Sequence, residues 1–557
     1  MKIKVTANAL AAILAAGLLL TACSSNSGNS SEPSPSTKTT AATEGGASSE
    51  VPSDNPGKIG IEPLKYSWFP NYDWWNPEPY DPNSPTQRYI KEQLMIEVQG
   101  ISPNGNAKQK LSTMIASTNL PDVITLERSD ANKMGKEGAL VPLNAYYDKY
   151  PNLKKAIGED TLNLLKAPDG NIYGIPSWYT GDIKAGNSGW WINRKIYKEL
   201  GSPKLVTFDD LYNYLNMVKA KYPDVTPVAT QQFNEGLTAI TGLVWAGMKE
   251  GIVGDFARAV HVFAVPEGNE LKPLYANPDY IEAQKYVSKL FRERLLSQDT
   301  LTQKQDQIKE KLKTGKIAVY TGFGVVNDAS EADRLLRGKN PNDGYDIVWP
   351  FVKPGVDQRK IVVIGYNKLG WNYNSITKSA KEPERIFAWY DYATSPENSR
   401  TLIYGPQGLY WDKTTEDGAP IPNDKFLALK PDELQKLKLD AHPNKPMPIY
   451  VPWDRERAKY LSADQQDIYG DVVNNTVADT SVFFDINPPV DAPEGLIQQN
   501  VVDIATKTTS KALFAKDDQD VEAILSQGLD DLNKAGYDKL LKYKTEKWQE
   551  HVKQLGK

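Results

Sequence analysis

The feature that most constrains the fold is a succession of strand and helix patterns that begins near residue 64. Strand patterns cover residues 64–69, 95–101 and 121–126, and helix patterns cover residues 86–94 and 107–117. Strands that alternate with helices predict a parallel sheet covered by helices. Sheets of this kind bind ligands beyond the carboxyl ends of their strands. The loops after Phe69 and Leu126 are therefore candidate positions in a ligand cleft.

A second α/β region is predicted from about residue 178 onward. Thr207 and Asp210 have the spacing of a capping box, and an apolar stripe follows them, which predicts a helix. Further patterns predict a strand over residues 316–320 and helices over residues 281–296, 381–393, 521–533 and 537–555. Two α/β regions in one chain predict more than one folding unit.

The N-terminus has the pattern of a lipoprotein signal peptide. Two lysines precede an apolar stretch, residues 9–20, that is too short to span a membrane comfortably. Residues 20–23 (LTAC) resemble a bacterial lipobox, in which the cysteine is lipidated and becomes the first residue of the mature chain. Cys23 is also the only cysteine in the sequence. We predict that residues 1–22 are removed and that acyl chains such as palmitate anchor Cys23 to the extracytoplasmic face of the cell membrane. The alternative is an ordinary signal peptide with a chance cysteine.

Residues 23–57 form a second N-terminal segment with a distinct composition. After Cys23 the segment is dominated by Ser, Thr, Gly and Pro. Such a segment cannot bury enough apolar surface to offset its ordering entropy. It is predicted to be a disordered linker that holds the folded body near the membrane without fixing its orientation.

Composition and motifs give little support to several other functions. The net charge of −5 gives no electrostatic reason to expect a nucleic-acid partner. The histidines show no zinc or triad spacing, and there is no P-loop. The acidic run 412–418 is out of register with an EF-hand loop, so no cofactor is predicted, with calcium left open. A glycan-cleaving enzyme needs only two facing carboxylates, and 70 acidic residues always contain candidate pairs.

Several segments occur in an order that carries a family resemblance. They are residues 106–126 (NAKQKLSTMIASTNLPDVITL), 137–150 (EGALVPLNAYYDKY), 168–176 (PDGNIYGIP), 193–201 (NRKIYKELG) and 313–320 (KTGKIAVY). In this order they resemble a family 1 extracellular solute-binding protein, the lipid-anchored receptor of a sugar ABC importer. Residues 404–410 (YGPQGLY) are similar to a run in the long lipoprotein branch of Gram-positive bacteria. The resemblance covers the chain from about residue 60 to the C-terminus.

The resemblance implies an α/β fold of the two-lobed, periplasmic-binding-protein-like (type II) class, with an interlobe cleft and hinge crossings. The first crossing is expected near residues 175–179, the second near residues 365–371 and the third after Tyr410. Lobe 1 would then comprise residues 58–176 and about 372–415. Lobe 2 would comprise residues 177–371 and about 416–557. We expect a monomer.

Aromatic residues in predicted loops mark the candidate ligand site. Sugars present apolar C–H faces, which flat rings cover, and a rim of hydroxyls, which carboxylates and amides satisfy. Clusters of Trp and Tyr fall at the expected interlobe positions, although core packing is the alternative role for each ring. The candidate ligand-binding residues are Asp73, Trp74, Trp75, Glu127, Trp178, Tyr179, Asp182, Phe323, Trp371, Tyr410, Trp411 and Asp412.

The sequence therefore predicts a non-catalytic receptor that captures an oligosaccharide outside the cell. It would deliver the oligosaccharide to the permease subunits of an ABC importer after the lobes close. Two alternatives stay open at this point. One is a lipid-anchored enzyme that cleaves glycans with paired carboxylates, and the other is a peptide-binding receptor of similar architecture.

Overall fold

A computed structural model describes most of the chain after the N-terminal segment. The described residues are 57–177, 186–231, 239–256, 263–416, 418, 420–430, 433, 437, 472, 475–489 and 492–555. The predicted signal peptide, the lipidated Cys23 and almost all of the linker lie outside these residues. So do three candidate site residues, Trp178, Tyr179 and Asp182.

The strands, in chain order, are β1 (Leu64–Pro70), β2 (Ile96–Gly100), β3 (Val123–Leu126), β4 (Ile175–Ser177), β5 (Ser188–Asn193), β6 (Thr226–Thr230), β7 (Ala264–Glu267), β8 (Glu270–Pro273), β9 (Ile317–Phe323), β10 (Tyr345–Val348), β11 (Ile364–Tyr366), β12 (Asn372–Ile376), β13 (Trp411–Thr414), β14 (Pro420–Pro422) and β15 (Val477–Asp479).

The helices of the first part of the chain are α1 (Pro85–Glu92), α2 (Ala107–Ala116), α3 (Arg128–Lys136), α4 (Asn144–Lys149), α5 (Pro151–Ile157), α6 (Glu159–Leu164), α7 (Arg194–Glu199), α8 (Phe208–Lys221) and α9 (Ala239–Ala246). Those that follow are α10 (Pro278–Arg292), α11 (Gln305–Lys313), α12 (Val326–Lys339), α13 (Pro383–Thr394), α14 (Pro396–Tyr404), α15 (Asp424–Leu427), α16 (Pro493–Leu513), α17 (Asp518–Lys534) and α18 (Tyr537–Gln554). Short 3₁₀ helices cover Leu274–Ala276, Gln358–Lys360 and Ser481–Phe483.

The first large sheet has the strand order β2-β1-β3-β12-β4. Strands β2, β1 and β3 are parallel, as the sequence predicts, with Leu64 opposite Ile96 and Trp68 opposite Val123. Strand β12 runs antiparallel to both β3 and β4. The sheet is therefore mixed, because β12 enters it from the other part of the chain.

The second large sheet has the strand order β10-β5-β9-β6. Strand β9 is parallel to β6 and antiparallel to β5. Trp190 and Trp191 on β5 are both fully buried and belong to different apolar cores, as the alternation of side chains along a strand requires.

Each sheet has its own apolar core. The core of the first sheet is built from residues 59–175 and 369–402. The core on one face of the second sheet is built from residues 190–363 and 482–548, so the C-terminal helices α16 to α18 contribute to this core. A smaller core covers its other face. The chain thus folds as two sheet-centred bodies, each made from discontinuous segments.

Two short strands run where the chain passes between the two cores. Strand β11 pairs in parallel with β15, with Ile364 opposite Val477 and Tyr366 opposite Asp479. Upstream of β11, Val363 belongs to the core of the second sheet, and downstream Leu369 belongs to that of the first. Strands β11 and β15 therefore lie side by side at the junction between the two cores.

Candidate functional site

Four aromatic rings form a cluster at the carboxyl end of β1. Tyr72, Trp74 and Trp75 lie in the loop after β1, and Trp371 directly precedes β12. The Trp74 ring stacks on those of Trp75 and Trp371, with centroids 5.7 and 5.9 Å apart. Tyr72 lies 4.9 Å from Trp371. The Trp74 side chain is nevertheless 66% exposed. The structure thus brings together three predicted site residues and adds Tyr72, which the sequence analysis did not single out.

The loop that carries this aromatic cluster is fastened to the start of α2. A carboxylate oxygen of Asp73 accepts a hydrogen bond from the Ala107 backbone N–H at 2.8 Å. Asn106, at the N-cap position, makes no side-chain cap bond, so Asp73 satisfies a donor of the first turn in its place. Asn76 Oδ1 accepts from the Asn104 N–H at 3.2 Å. The predicted site residue Asp73 therefore holds the loop in place.

A tight turn positions Trp371 at the second crossing. Gly370 has a φ of +78°, and a Cβ atom there would lie 2.5 Å from the Ser177 carbonyl oxygen. The same oxygen accepts a hydrogen bond from the Trp371 backbone N–H at 2.9 Å. The Ser177 hydroxyl donates to Asn372 Oδ1. Only glycine fits at position 370, and it lets the end of β4 hold Trp371 against the cluster.

Glu127 joins the cluster from the end of β3. The Tyr72 hydroxyl donates to Glu127 Oε1 at 2.8 Å. Burial raises the pKa of Tyr72, and the Glu127 charge raises it further. Tyr72 therefore stays protonated as the donor, and the exposed Glu127 carboxylate lies beside the rings. The loops after β1 and β3 meet here, as predicted for the carboxyl ends of parallel strands.

A second set of polar groups lies at one edge of the second sheet. Ser188 begins β5 opposite Phe323 at the end of β9, and Thr230 ends the neighbouring β6. Ser188 and Thr230 are 2% and 4% exposed. Their hydroxyl oxygens and Gln231 Oε1 are buried and have no hydrogen-bond partner in the described part of the chain. Because most buried polar atoms are paired, these three oxygens suggest a binding edge.

The sequence analysis missed this edge. The signal that could have revealed it is the run TPVATQQ at residues 226–232, in which an apolar strand is followed at once by polar residues. The expectation from parallel strands covers only the loops after Phe69 and Leu126. Ser188 could not be found in this way, because its strand is antiparallel and meets the edge with its first residue.

Phe323, which was predicted to contact ligand, lies at this edge but is only 5% exposed and belongs to the core of the second sheet. A Cβ atom at Gly242 would lie 2.8 Å from the Phe323 ring. The glycine on α9 thus leaves room for the ring, which packs into the core at the position where we expected it to face a cleft.

The predicted residues Tyr410 and Trp411 belong to a separate small core built around α14 and the β13–β14 hairpin, and the exposed Asp412 follows them on β13. Trp411 is 2% exposed and donates its indole N–H to the Gly405 carbonyl oxygen at 2.8 Å. Asp412 accepts from Asn423 Nδ2 at 3.0 Å. These side chains hold the hairpin together and do not belong to the aromatic cluster.

The described residues contain neither a candidate metal site nor a candidate membrane-spanning helix. No group of three or more His, Cys, Asp and Glu side chains among them is arranged to hold a metal ion. Within the same residues, no helix has the length and apolar character needed to cross a membrane. A groove of about 550 Å³ runs along α2 between Ile101 and Pro121, and none of the predicted site residues lines it.

Comparison with solved structures establishes the fold. The chain is similar to the alginate-binding protein AlgQ2, with a TM-score of 0.65 and 18% identity over 88% of this chain and 98% of that one. It is also similar to the substrate-binding protein FusA of S. pneumoniae in complex with kestose, with a TM-score of 0.63 and 18% identity over 89% of this chain and 100% of FusA. The fold is the two-lobed α/β fold of solute-binding proteins.

Sequence comparison identifies the family. The chain is 24% identical to lipoprotein LipO of Bacillus subtilis over a 403-residue alignment that covers 66% of this chain and 75% of LipO. Residues 84–400 match the family of bacterial extracellular solute-binding proteins. That match covers more than half of the chain and includes Glu127 and Trp371. The chain belongs to the bacterial extracellular solute-binding protein family.

Proposed function

We propose that this protein is a non-catalytic, lipid-anchored receptor that captures an oligosaccharide between its lobes and delivers it to the permease subunits of an ABC importer. The aromatic cluster carries the proposal. The exposed face of Trp74 can cover the C–H face of a sugar ring, and Glu127 lies beside it to accept from sugar hydroxyls. Such a pairing of rings with a few polar groups is typical of carbohydrate sites.

The edge of the second sheet would form the opposite wall. The chain leaves the first sheet at Ser177, next to Trp371, and enters the second sheet at Ser188. Ser188 is eleven residues after Ser177, so a short segment connects the edges of the two sheets. This segment contains Trp178, Tyr179 and Asp182. The oxygens of Ser188, Thr230 and Gln231 would accept from hydroxyls on the other side of the sugar.

The lobe boundaries that we propose are those expected from the sequence. Residues 58–176 and about 372–415 would form lobe 1, and residues 177–371 and about 416–557 would form lobe 2. The composition of the two cores supports this division. Strands β11 and β15 would be the hinge, and the ligand would favour the closed arrangement because only there does it touch both lobes.

The names of similar proteins support the ligand class and the anchor. AlgQ2 is named as alginate-binding, and FusA is described in complex with kestose, so similar folds hold saccharides of different kinds. LipO is named a lipoprotein. We propose accordingly that Cys23 carries the lipid and that the protein works at the outer face of the cell membrane, as a monomer.

Titration calorimetry against a panel of neutral and acidic oligosaccharides tests the function. Saturable binding of an oligosaccharide, with no shorter products on chromatography of the mixture, is the expected result. Release of shorter sugars would instead indicate a glycan-cleaving enzyme. Thermal stabilisation by peptides, with none by glycans, would indicate a peptide receptor.

A further inference from the structure

Residues 480–486, here called the strap, connect the two cores beside the candidate site. Val482 and Ile486 are buried in the core of the second sheet. Phe484, between them, packs against the core of the first sheet. The strap directly follows β15, one of the two strands that run along the junction. A movement of one body relative to the other must therefore act on the strap.

The strap is bonded to the segment that leads to Trp371. The Thr480 backbone N–H donates to the Tyr366 carbonyl oxygen at 2.8 Å. The Lys368 N–H donates to the Ser481 hydroxyl oxygen at 2.9 Å. Lys368 lies three residues before Trp371, so the strap limits where that ring can lie.

The strap also holds the turn that carries Glu127. Arg128, the next residue, is 6% exposed and donates through Nε to Asp485 Oδ2 at 2.8 Å. Its guanidinium carbon lies 5.0 Å from the Phe484 ring centroid. Arg128 opens α3, directly after β3, and its side chain fixes that turn to the strap.

The chain just after the strap is bonded to the other core, at Asn487. Lys544 on α18 is fully buried and donates to Asn487 Oδ1 at 2.6 Å. Burial lowers the pKa of Lys544, and the charge of Asp485 opposes that shift. The neighbouring Leu540 and Trp548 of α18 belong to the core of the second sheet. Residues 485–487 are thus held by Arg128 from one side and by Lys544 of the second core from the other.

The backbone at Asp485 is also unusual. Its φ is +58°, in the left-handed region that residues other than glycine seldom adopt, although Asp and Asn do so most readily. Conformations of this kind are retained where the surroundings enforce them, often at functional sites.

We propose that Asp485 is a positioning residue that couples the arrangement of the two lobes to the ligand site, by fixing Arg128 of lobe 1 to the strap, whose continuation at Asn487 is bonded to Lys544 of lobe 2. This inference rests on the proposed function, since it assigns the coupling to the ligand site described above. Through the strap, one carboxylate sets the position of both Glu127 and Trp371. The arrangement of the lobes and the shape of the sugar site then change together.

Asp485→Asn tests this directly, because asparagine keeps the shape and tolerates the left-handed backbone while it removes the charge. With a glycan that binds the wild type, we expect affinity about tenfold weaker by calorimetry, the size typical of a coupled network. We also expect the radius of gyration of the ligand-free protein to change in small-angle scattering. Asp503→Asn, an exposed carboxylate on α16, is the matched control and should change neither.

Lys544→Met separates coupling from local support of Glu127. It removes the hydrogen bond from lobe 2 to Asn487 and leaves the Arg128–Asp485 pair intact. Coupling predicts that this variant changes affinity and radius of gyration as well, and that the double variant Asp485→Asn/Lys544→Met is not additive. A purely local role predicts wild-type behaviour for Lys544→Met and would overturn the proposal.

The outcomes also separate this inference from the proposed function. If the wild type binds a glycan and both folded single variants match it in affinity and in scattering, the coupling is overturned while the receptor function stands. If the wild type binds no glycan, the receptor function fails, and the ligand-free scattering of the variants still tests the coupling. Should Asp485→Asn not fold, Lys544→Met and Arg128→Lys give the same comparison.

Discussion

At the scale of single residues, the arrangement of the aromatic cluster leads to a prediction about affinity. The Trp74 side chain is exposed, and the Trp371 ring stacks on it with ring centroids 5.9 Å apart. We expect Trp74→Ala and Trp371→Ala each to weaken glycan binding by about tenfold or more, as for buried aromatic anchors at interfaces. Calorimetry measures this loss. Phe514→Ala, another exposed ring, controls for loss of an aromatic elsewhere. Wild-type affinity in both cluster variants would show that the sugar binds elsewhere.

The same residues show how far sequence can predict a site. Trp74, Trp75 and Trp371 were expected to lie together because they follow strand ends or hinge crossings, and the structure brings their rings into contact. Trp411 met the same criterion, but its ring is buried under a local hairpin. A loop position does not specify the direction of a side chain, because that depends on contacts with residues distant in the sequence. The polar edge at Ser188 could not be predicted for a different reason, because the direction of β5 in its sheet depends on pairing with the distant strand β9.

At the scale of elements, the predicted capping box of α8 is confirmed, and its contribution to the free energy of unfolding can be measured. The Thr207 hydroxyl oxygen accepts from the Asp210 N–H at 3.1 Å, and the Asp210 carboxylate accepts from the Thr207 N–H at 2.9 Å. We expect Thr207→Ala to lower the free energy of unfolding by about 1 kcal/mol in urea denaturation. Ser202→Ala, in the preceding loop, is the control. An unchanged free energy of unfolding in Thr207→Ala would mean that the Thr207 hydroxyl does not stabilise the N-terminus of α8.

The Asp210 side of the box adds a dependence on pH. Hydrogen bonds from the backbone N–H groups of Thr207 and Val206 lower the pKa of Asp210. Since the folded pKa lies below the unfolded one, this stabilisation is present above the unfolded pKa and is lost as pH falls through the folded pKa. Asp210→Asn should therefore cost stability at neutral pH and much less in strong acid. An equal cost at both pH values would contradict this assignment.

Elements were easier to predict than their pairing. Strands β1, β2 and β3 and helix α2 lie within a few residues of the expected bounds, because their patterns are local. That β12 inserts between β3 and β4 could not be read from such patterns. Its place depends on the crossing of the chain near Gly370, which joins residues about 200 positions apart.

At the scale of the whole molecule, the proposed anchor predicts where the protein is found. If Cys23 carries the only lipid, Cys23→Ser should abolish labelling with a palmitate analogue and release the protein from the membrane fraction to the medium. Ser24→Ala, which leaves the cysteine, should remain anchored. Membrane retention of an unlabelled Cys23→Ser protein would show that something other than the lipid holds it there.

The proposed hinge leads to a prediction about compaction, because capture by closure requires the two sheet-centred bodies to move closer to each other. Small-angle scattering should show a smaller radius of gyration when the wild type is saturated with a tight-binding glycan. At Gly365 on β11 a Cβ atom would lie 2.5 Å from the Thr480 side chain, so Gly365→Ala must displace Thr480, which directly follows β15. We expect this variant to unfold cooperatively like the wild type but to show a reduced compaction and weaker binding.

In Gly189→Ala the new methyl group meets only the flexible end of Ile347, at 3.1 Å, within the second sheet, so compaction should be unaffected. If the saturated wild type does not compact, the ligand is held without closure, and the strands β11 and β15 are a rigid connection between the lobes.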